Sequence, residues 1–424
     1  MKAEAPPRPL AELYSEASSD MEKAIALIRR IEGYGDFLKP PEFKDMVAAA
    51  RPGAPLCYLV STEHGSLALL VESDGRVSPV WVDGFTESDL RDLLLQRDEQ
   101  GVMWGYLVGQ LWGLGQWMLQ EALETVGQKL IGPLAGKLKE MEAEGVVLIP
   151  GGHLALLPFH AARYQVDGKG TYLLDEFDVY YAPGARPYRE AQGALAEAEK
   201  RAQVLAGVGD PQPVFPPLKF ARAELEEIEK LFPEGARRTL YEKNATKTAF
   251  LEKLPGASHV HFSCHGRFDP VNPLASCLEL GDKEDLTLKE MLDGKVLAGV
   301  RLAALSACQT AITDFNNLPD EAIGLPAGVL QAGAVGVVGT LWSVEEISTA
   351  ILLVKFYENY LVEGMPPVRA LRMAQIWMRD SSADEKRSYV ESHRSLKEAI
   401  RDEWGSLKPF NEPEYWAPFM FAGM

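Results

Sequence analysis

Two short apolar runs in the second half of the chain end in residues capable of covalent chemistry. HVHFSCHG, from His259, leads to His265 and Gly266; LAALSACQT, from Leu302, leads to Cys308. In a parallel sheet, residues just past two neighbouring strands lie side by side at one edge, so this pair is expected to meet although 43 positions separate its members. A thiolate is a competent nucleophile when a histidine manages its proton. Attack on a peptide carbonyl would give an acyl-enzyme, with the imidazole protonating the leaving amine before water completes hydrolysis. The backbone N–H groups of Gly266 and Cys308 are the best donors for the developing oxyanion, and Gly266 frees the backbone for a sharp turn.

Other candidates stand around this pair. Glu345 and Glu346 follow the strand-like GTLW and are placed to meet a lysine or arginine side chain of a substrate, arginine giving the more directional contact. The same two carboxylates open the helix-like EEISTAILLVKFYENYL, where acidic residues also serve as helix-terminal chemistry. AITDFNNLPDEA, just after Cys308, reads as a loop beside the cleft, with Asp314, Asp320 and Glu321 adding negative potential or binding a basic peptide. His259 and His261 alternate along their strand and are expected to fill buried space, as are Cys264 and Cys277. Gly151, Gly152, His153 and His160 look site-like, but no nucleophile accompanies them, and they read as structural.

The elements that must position these residues follow from periodicity. DMEKAIALIRRI is a helix candidate with Asp20 as its cap. LCYLV, SLALLVE and VSPVWV, separated by TEHG and ESDGR, predict an antiparallel meander. Trp104 to Trp117 and the run to Leu138 read as helices, with the tryptophans in the core. Val146 to Ile149 is a buried strand, YLLDEFDVYYAP another, and VLAGV, from Val204, a third. ARAELEEIEKLF is an amphipathic helix with Leu225, Ile228, Leu231 and Phe232 facing inward, and Asn244 or Thr246 caps the helix after it. Apolar strands alternating with helices predict a mostly parallel sheet flanked by helices on both faces.

Composition narrows the function classes. The formal charge is −18, from 43 basic and 61 acidic residues, without a lysine- or arginine-rich cluster, so nucleic acid and direct membrane association are not expected. An acidic surface suits a basic peptide. The start of the chain lacks the apolar stretch of a signal peptide, and no later run is long enough to span a bilayer. Four cysteines without C-x-x-C spacing argue against structural zinc and dense disulfides, so a reducing, cytoplasmic setting is expected and neither metal nor cofactor. The glycine-rich stretch from Gly333 through Gly336 to Gly339 lacks a GK[ST] ending, and no G-x-S-x-G elbow marks an α/β-hydrolase.

GVVLIPGGHLALLPFHA, YLLDEFDVYYAP, HVHFSCHG, RLAALSACQT, EAIGLPAGVLQAGAVGVVGTLWSVEE and the terminal YWAPFMFAGM occur in an order that resembles the CHAT family, caspase-like domains related at the active site to separases. The resemblance covers roughly residues 50–424. It implies that His265 and Cys308 are the catalytic dyad of a cysteine endopeptidase, and that an acidic residue shortly after the tryptophan recognises a basic residue before the cut. Many relatives carry aspartate where this chain has glutamate. It also implies a helical leader (1–48), an inactive caspase-like half (49–190) and a catalytic half (191–424). The TPR array common beside such domains is missing, so regulation by another polypeptide or by self-association is expected, within a bacterial defence or stress-signalling role. The rival account is a CHAT-type interaction or scaffold protein that acts mainly by binding partners.

Overall fold

The structure, a computed structural model, describes residues 10–31, 35, 37, 39, 42–98, 100–112, 116–213, 216–269, 272–306, 325–400 and 410–424. The chain divides into two compact units, Met1–Asp45 and Met46–Met424. In the first, helix α1 spans Leu10–Ile28, so it begins well before Asp20. No glycine or proline interrupts this stretch, and Asp20 is not a cap but an interior residue paired with Lys23, one turn on, at 2.9 Å.

The second unit is built on one large mixed sheet. Strands β1 (Leu56–Thr62), β2 (Gly65–Val71) and β3 (Val77–Val82) form the expected antiparallel meander, with Leu59 opposite Ala68 and Leu69 opposite Pro79. The remaining strands are β4 (Gly145–Pro150), β5 (Asp178–Tyr181), β6 (Leu205–Pro211), β7 (Arg237–Glu242), β8 (His259–Ser263), β9 (Leu302–Ser306), β10 (Gly336–Thr340) and β11 (Phe419–Gly423). Among the described residues the sheet has eleven strands in the order β7-β6-β8-β9-β10-β11-β5-β4-β1-β2-β3. Strands β7 through β10 run parallel, as do β5, β4 and β1. β11 joins the two groups, antiparallel to β10 and parallel to β5.

Strands β8, β9 and β10 are buried along their whole length, as strands of a parallel sheet are when helices cover both faces. At Gly336 a Cβ would meet the Met424 backbone oxygen at 2.8 Å and the Phe421 ring at 2.9 Å, so glycine here permits close strand packing rather than phosphate binding. Helices α2 (Ala221–Glu229) and α3 (Glu346–Tyr357) pack against each other, α2 lying over one face of β6 and β8. Leu225, Ile228 and Phe232 are buried there as expected, and Leu231 is half-buried. Alternation along β8 turns His259 and His261 toward that face, where they meet Tyr360 and Tyr357. It turns Phe262 to the other face, against Phe250 of the helix Lys247–Lys253, which Thr246 caps.

Two further expectations are corrected. YLLDEFDVYYAP is not one strand: Leu173–Glu176 forms a helical turn, with Asp175 accepting from the Tyr172 N–H at 2.9 Å, and only Asp178–Tyr181 is extended. Trp104 and Trp117 are not core residues. Trp104 lies in a two-stranded hairpin and Trp117 in the helix Gln116–Val126; they are 40% and 50% exposed and pack edge-on against each other at 6.2 Å. Tyr106, Leu119 and Leu123 supply the buried contacts of this region instead.

Candidate active site

The carboxyl ends of β8 and β9 are bound together. Ser263 and Ser306 are register partners, and one residue further the Cys264 N–H donates to the Ser306 carbonyl at 3.3 Å. The chain then leaves the main sheet: His265–Arg267 pairs antiparallel with Cys277–Glu279, placing Gly266 opposite Leu278. Cys308, Asp314, Asp320 and Glu321 lie outside the described residues.

His265 is half-buried, and its Nε2 lies 2.7 Å from the Pro216 carbonyl oxygen. A carbonyl only accepts, so Nε2 carries the proton and the lone pair of the neutral ring is on Nδ1. Among the described residues Nδ1 has no hydrogen-bond partner. One nitrogen thus fixes the ring, and the other remains able to take a proton.

Beside His265 is a recess of about 40 Å³, bordered by Glu224, Ser306, Glu346 and Thr349. That is room for a few water-sized groups, the scale of a side-chain tip. Of the two adjacent carboxylates, Glu346 borders it and Glu345 does not. Glu345 is the N-cap of α3 and accepts from the Ser348 N–H at 2.7 Å, the helix-terminal role that its position also allowed. Glu346 points the other way. Burial raises its carboxyl pKa, and the Phe220 N–H at 3.2 Å and the Lys219 N–H act in opposition. Thr349, 4% exposed, has a buried hydroxyl without a hydrogen-bond partner among the described residues.

Below the recess, Glu224 is 2% exposed yet accepts from the Ser306 hydroxyl at 3.1 Å and lies 2.8 Å from Nε2 of His261. Sequence reasoning assigned no role to Glu224, Ser306, Thr349 or Pro216. For Glu224 a signal existed: it falls on the helical stripe of Ala221, Leu225 and Ile228, and a charge on a core-facing stripe calls for a buried partner.

The other site-like residues are occupied. His160 uses Nδ1 on the Tyr181 hydroxyl at 2.9 Å and Nε2 on the Ala417 carbonyl at 3.0 Å, and burial holds its imidazole down to about 4. His259 spans the Ser258 and Tyr360 hydroxyls, and burial, aided by Arg301, lowers it to about 3. Cys57, Cys264 and Cys277 form no disulfides; burial pushes the Cys57 thiol up, and burial with Asp285 pushes Cys277 up to about 12. Such thiols make poor nucleophiles. Among the described residues, no helix is long and apolar enough to cross a membrane.

Comparison with known proteins fits this architecture. The family model described as the CHAT domain matches residues 120–424. No curated protein sequence matches the chain significantly. Two crystal structures of the Saccharomyces cerevisiae separase–securin complex are similar, one with TM-score 0.53 at 10% identity, covering 90% of this chain and 30% of the other. The second has TM-score 0.50 at 8% identity, covering 95% and 33%. The Arg-specific cysteine proteinase gingipain R matches with TM-score 0.38 at 11% identity, covering 72% and 66%. The chain therefore spans about a third of the length of the separase chains it resembles, and what it shares with them is the caspase-like fold.

Proposed function

The chain belongs to the CHAT domain family, and from that premise we propose that it is a cysteine endopeptidase whose dyad is His265 and Cys308, cutting after arginine or lysine. The pairing of β8 with β9 is the observation that carries this reading. His265 stands two residues past Ser263 and Cys308 two residues past Ser306, and those serines are register partners. The Nε2 hydrogen bond to Pro216 adds support, because it leaves Nδ1 as the basic atom of the neutral ring.

In this mechanism Nδ1 of His265 takes the Cys308 proton and the thiolate attacks the peptide carbonyl carbon. The Gly266 and Cys308 N–H groups receive the oxyanion. Collapse breaks the C–N bond, and the imidazolium returns the proton to the departing amine. Water then adds to the thioester, giving a proton to Nδ1; the C–S bond breaks, the acid is released and the thiol is restored. Glu346 is the substrate carboxylate of the proposal, with the unpartnered Thr349 hydroxyl beside it, while Glu345 is committed to its cap. Residues 191–424 carry the chemistry, and 49–190 serve as a silent, supporting half. The separase in both similar structures is in complex with securin; a protein regulator, in a bacterial defence or stress-signalling setting, is proposed for this chain by extension.

Cleavage of a peptide library, with His265→Ala and Cys308→Ala as controls, tests the proposal. Arginine or lysine enriched before the cut, lost in both controls, is the expected result. Acidic or apolar enrichment removes the Glu346 assignment, and cleavage that survives either control removes the dyad.

A further inference from the structure

The layer beneath the strand ends contains a second polar constellation, unused by the chemistry above. Oε2 of Glu224 accepts from the Ser306 hydroxyl at 3.1 Å, and Oε1 lies 2.8 Å from Nε2 of His261, a ring with no exposed surface. A carboxylate only accepts, so His261 donates through Nε2–H, and its Nδ1 accepts from the Tyr357 hydroxyl at 3.3 Å. Ser306 is the last residue of β9, and His261 stands in the middle of β8. One side chain from α2 therefore holds two adjacent strands, the first four residues before His265 and the second two residues before Cys308.

We infer that Glu224 is a positioning residue that fixes the two strand ends against each other, an inference that rests on the proposed dyad. The backbone ladder sets the register of β8 and β9 as far as Ser306, but it does not tie that last rung to the helix packed over it. A hydroxyl held by a buried carboxylate does so at Ser306. Stability alone gives no reason for the charge, since well-packed apolar replacements of buried ionic groups are often neutral or stabilising. Geometry gives one: Glu224 reaches both strands from one helix, and its two oxygens are each taken by a donor from a different strand.

Three readouts on Glu224→Gln and Ser306→Ala test this: kcat and KM on a peptide with arginine before the cut, the rate of Cys308 alkylation by iodoacetamide, and Tm. Both variants are expected to lower kcat by about 10- to 100-fold, the usual penalty for a misplacement near 1 Å, with KM changed by less than about twofold. Alkylation of Cys308 slows in parallel, although iodoacetamide uses no substrate pocket. Glu224→Asp, which keeps the charge but is one bond shorter, does not restore the rate. Should Glu224→Gln fail to fold, Ser306→Ala carries the test, because it removes only one oxygen and leaves the His261 contact in place. A raised KM with kcat intact would make Glu224 a substrate contact, and a lowered Tm with kcat and alkylation intact would make it merely structural; either result overturns the inference. Failure of the dyad reads out separately, as cleavage by His265→Ala at the wild-type rate.

Discussion

His160 and His265 both follow strands of the same sheet, β4 and β8, and their surroundings differ in one respect that matters. His160 lies in the helical turn Phe159–Ala161, well beyond the last residue of β4, Pro150, with both ring nitrogens engaged and 4% of its surface exposed. His265 lies past the end of β8 with one nitrogen on a carbonyl and the other without a partner among the described residues. A place beyond a strand therefore does not by itself leave a ring nitrogen open. What distinguishes the two is whether the ring is anchored by half of its hydrogen-bonding capacity or by all of it. Cys57 in β1 is likewise sealed in the core, and burial pushes its thiol up.

The contrast can be broken most sharply by substitution at each histidine. His265→Ala is expected to lower kcat by about 1,000-fold, in the range for loss of a general acid–base, while Tm changes little. His160→Ala should do the reverse. It leaves a cavity and two orphaned partners, costing about 3 kcal/mol in chemical denaturation while the folded fraction keeps its kcat. If His160→Ala abolishes turnover in fully folded protein, the two halves are not divided as described.

Acid titration probes the saturated histidines next. His160, held at about 4, and His259, at about 3, remain neutral in the folded chain, whereas the unfolded chain protonates them near 6.5. Their contribution is thus complete above about pH 6.5 and is lost as pH falls toward the folded values, about 2 kcal/mol for each by pH 5. Tm should drop between pH 7 and 5, and less so in His160→Gln; equal slopes would remove the linkage. The smallest effects separate the adjacent carboxylates. Glu346→Gln should reduce kcat/KM on basic peptides by about 10-fold, the loss of one charge-assisted contact. Because burial raises its pKa, kcat/KM of the wild type should begin to fall on acidification at a higher pH than an ordinary glutamate would give. Glu345→Ala should leave specificity alone and cost about 1 kcal/mol of stability as a lost cap. Reversed outcomes for the two would exchange their roles.

Local signals carried much of the fold. The meander, the buried strands β8, β9 and β10, the Thr246 cap and the inward face of α2 were readable because period and burial agree within each segment. The helical turn at Leu173–Glu176 was not, since its apolar residues fit a strand equally well and the deciding Asp175 contact is to the backbone. The outward tryptophans were missed because size alone does not say which way a ring faces, and Trp104 stands in a hairpin rather than on the expected helix. At the site, His265 was visible as a strand terminus, and Glu224 was hidden in plain view. Its partners His261 and Ser306 come from remote segments, and only the folded sheet brings all three together.

Strand β11 has a consequence for biosynthesis. It fills the gap between β10 and β5, yet the ribosome makes it after every other strand of the sheet. Until Phe419–Gly423 has left the exit tunnel, both neighbours carry bare edges of the kind that recruit other chains. A nascent or prematurely terminated polypeptide lacking those five residues would hold two part-sheets with nothing to splice them, and quality control would meet it as a sticky intermediate rather than as a slightly shortened protein.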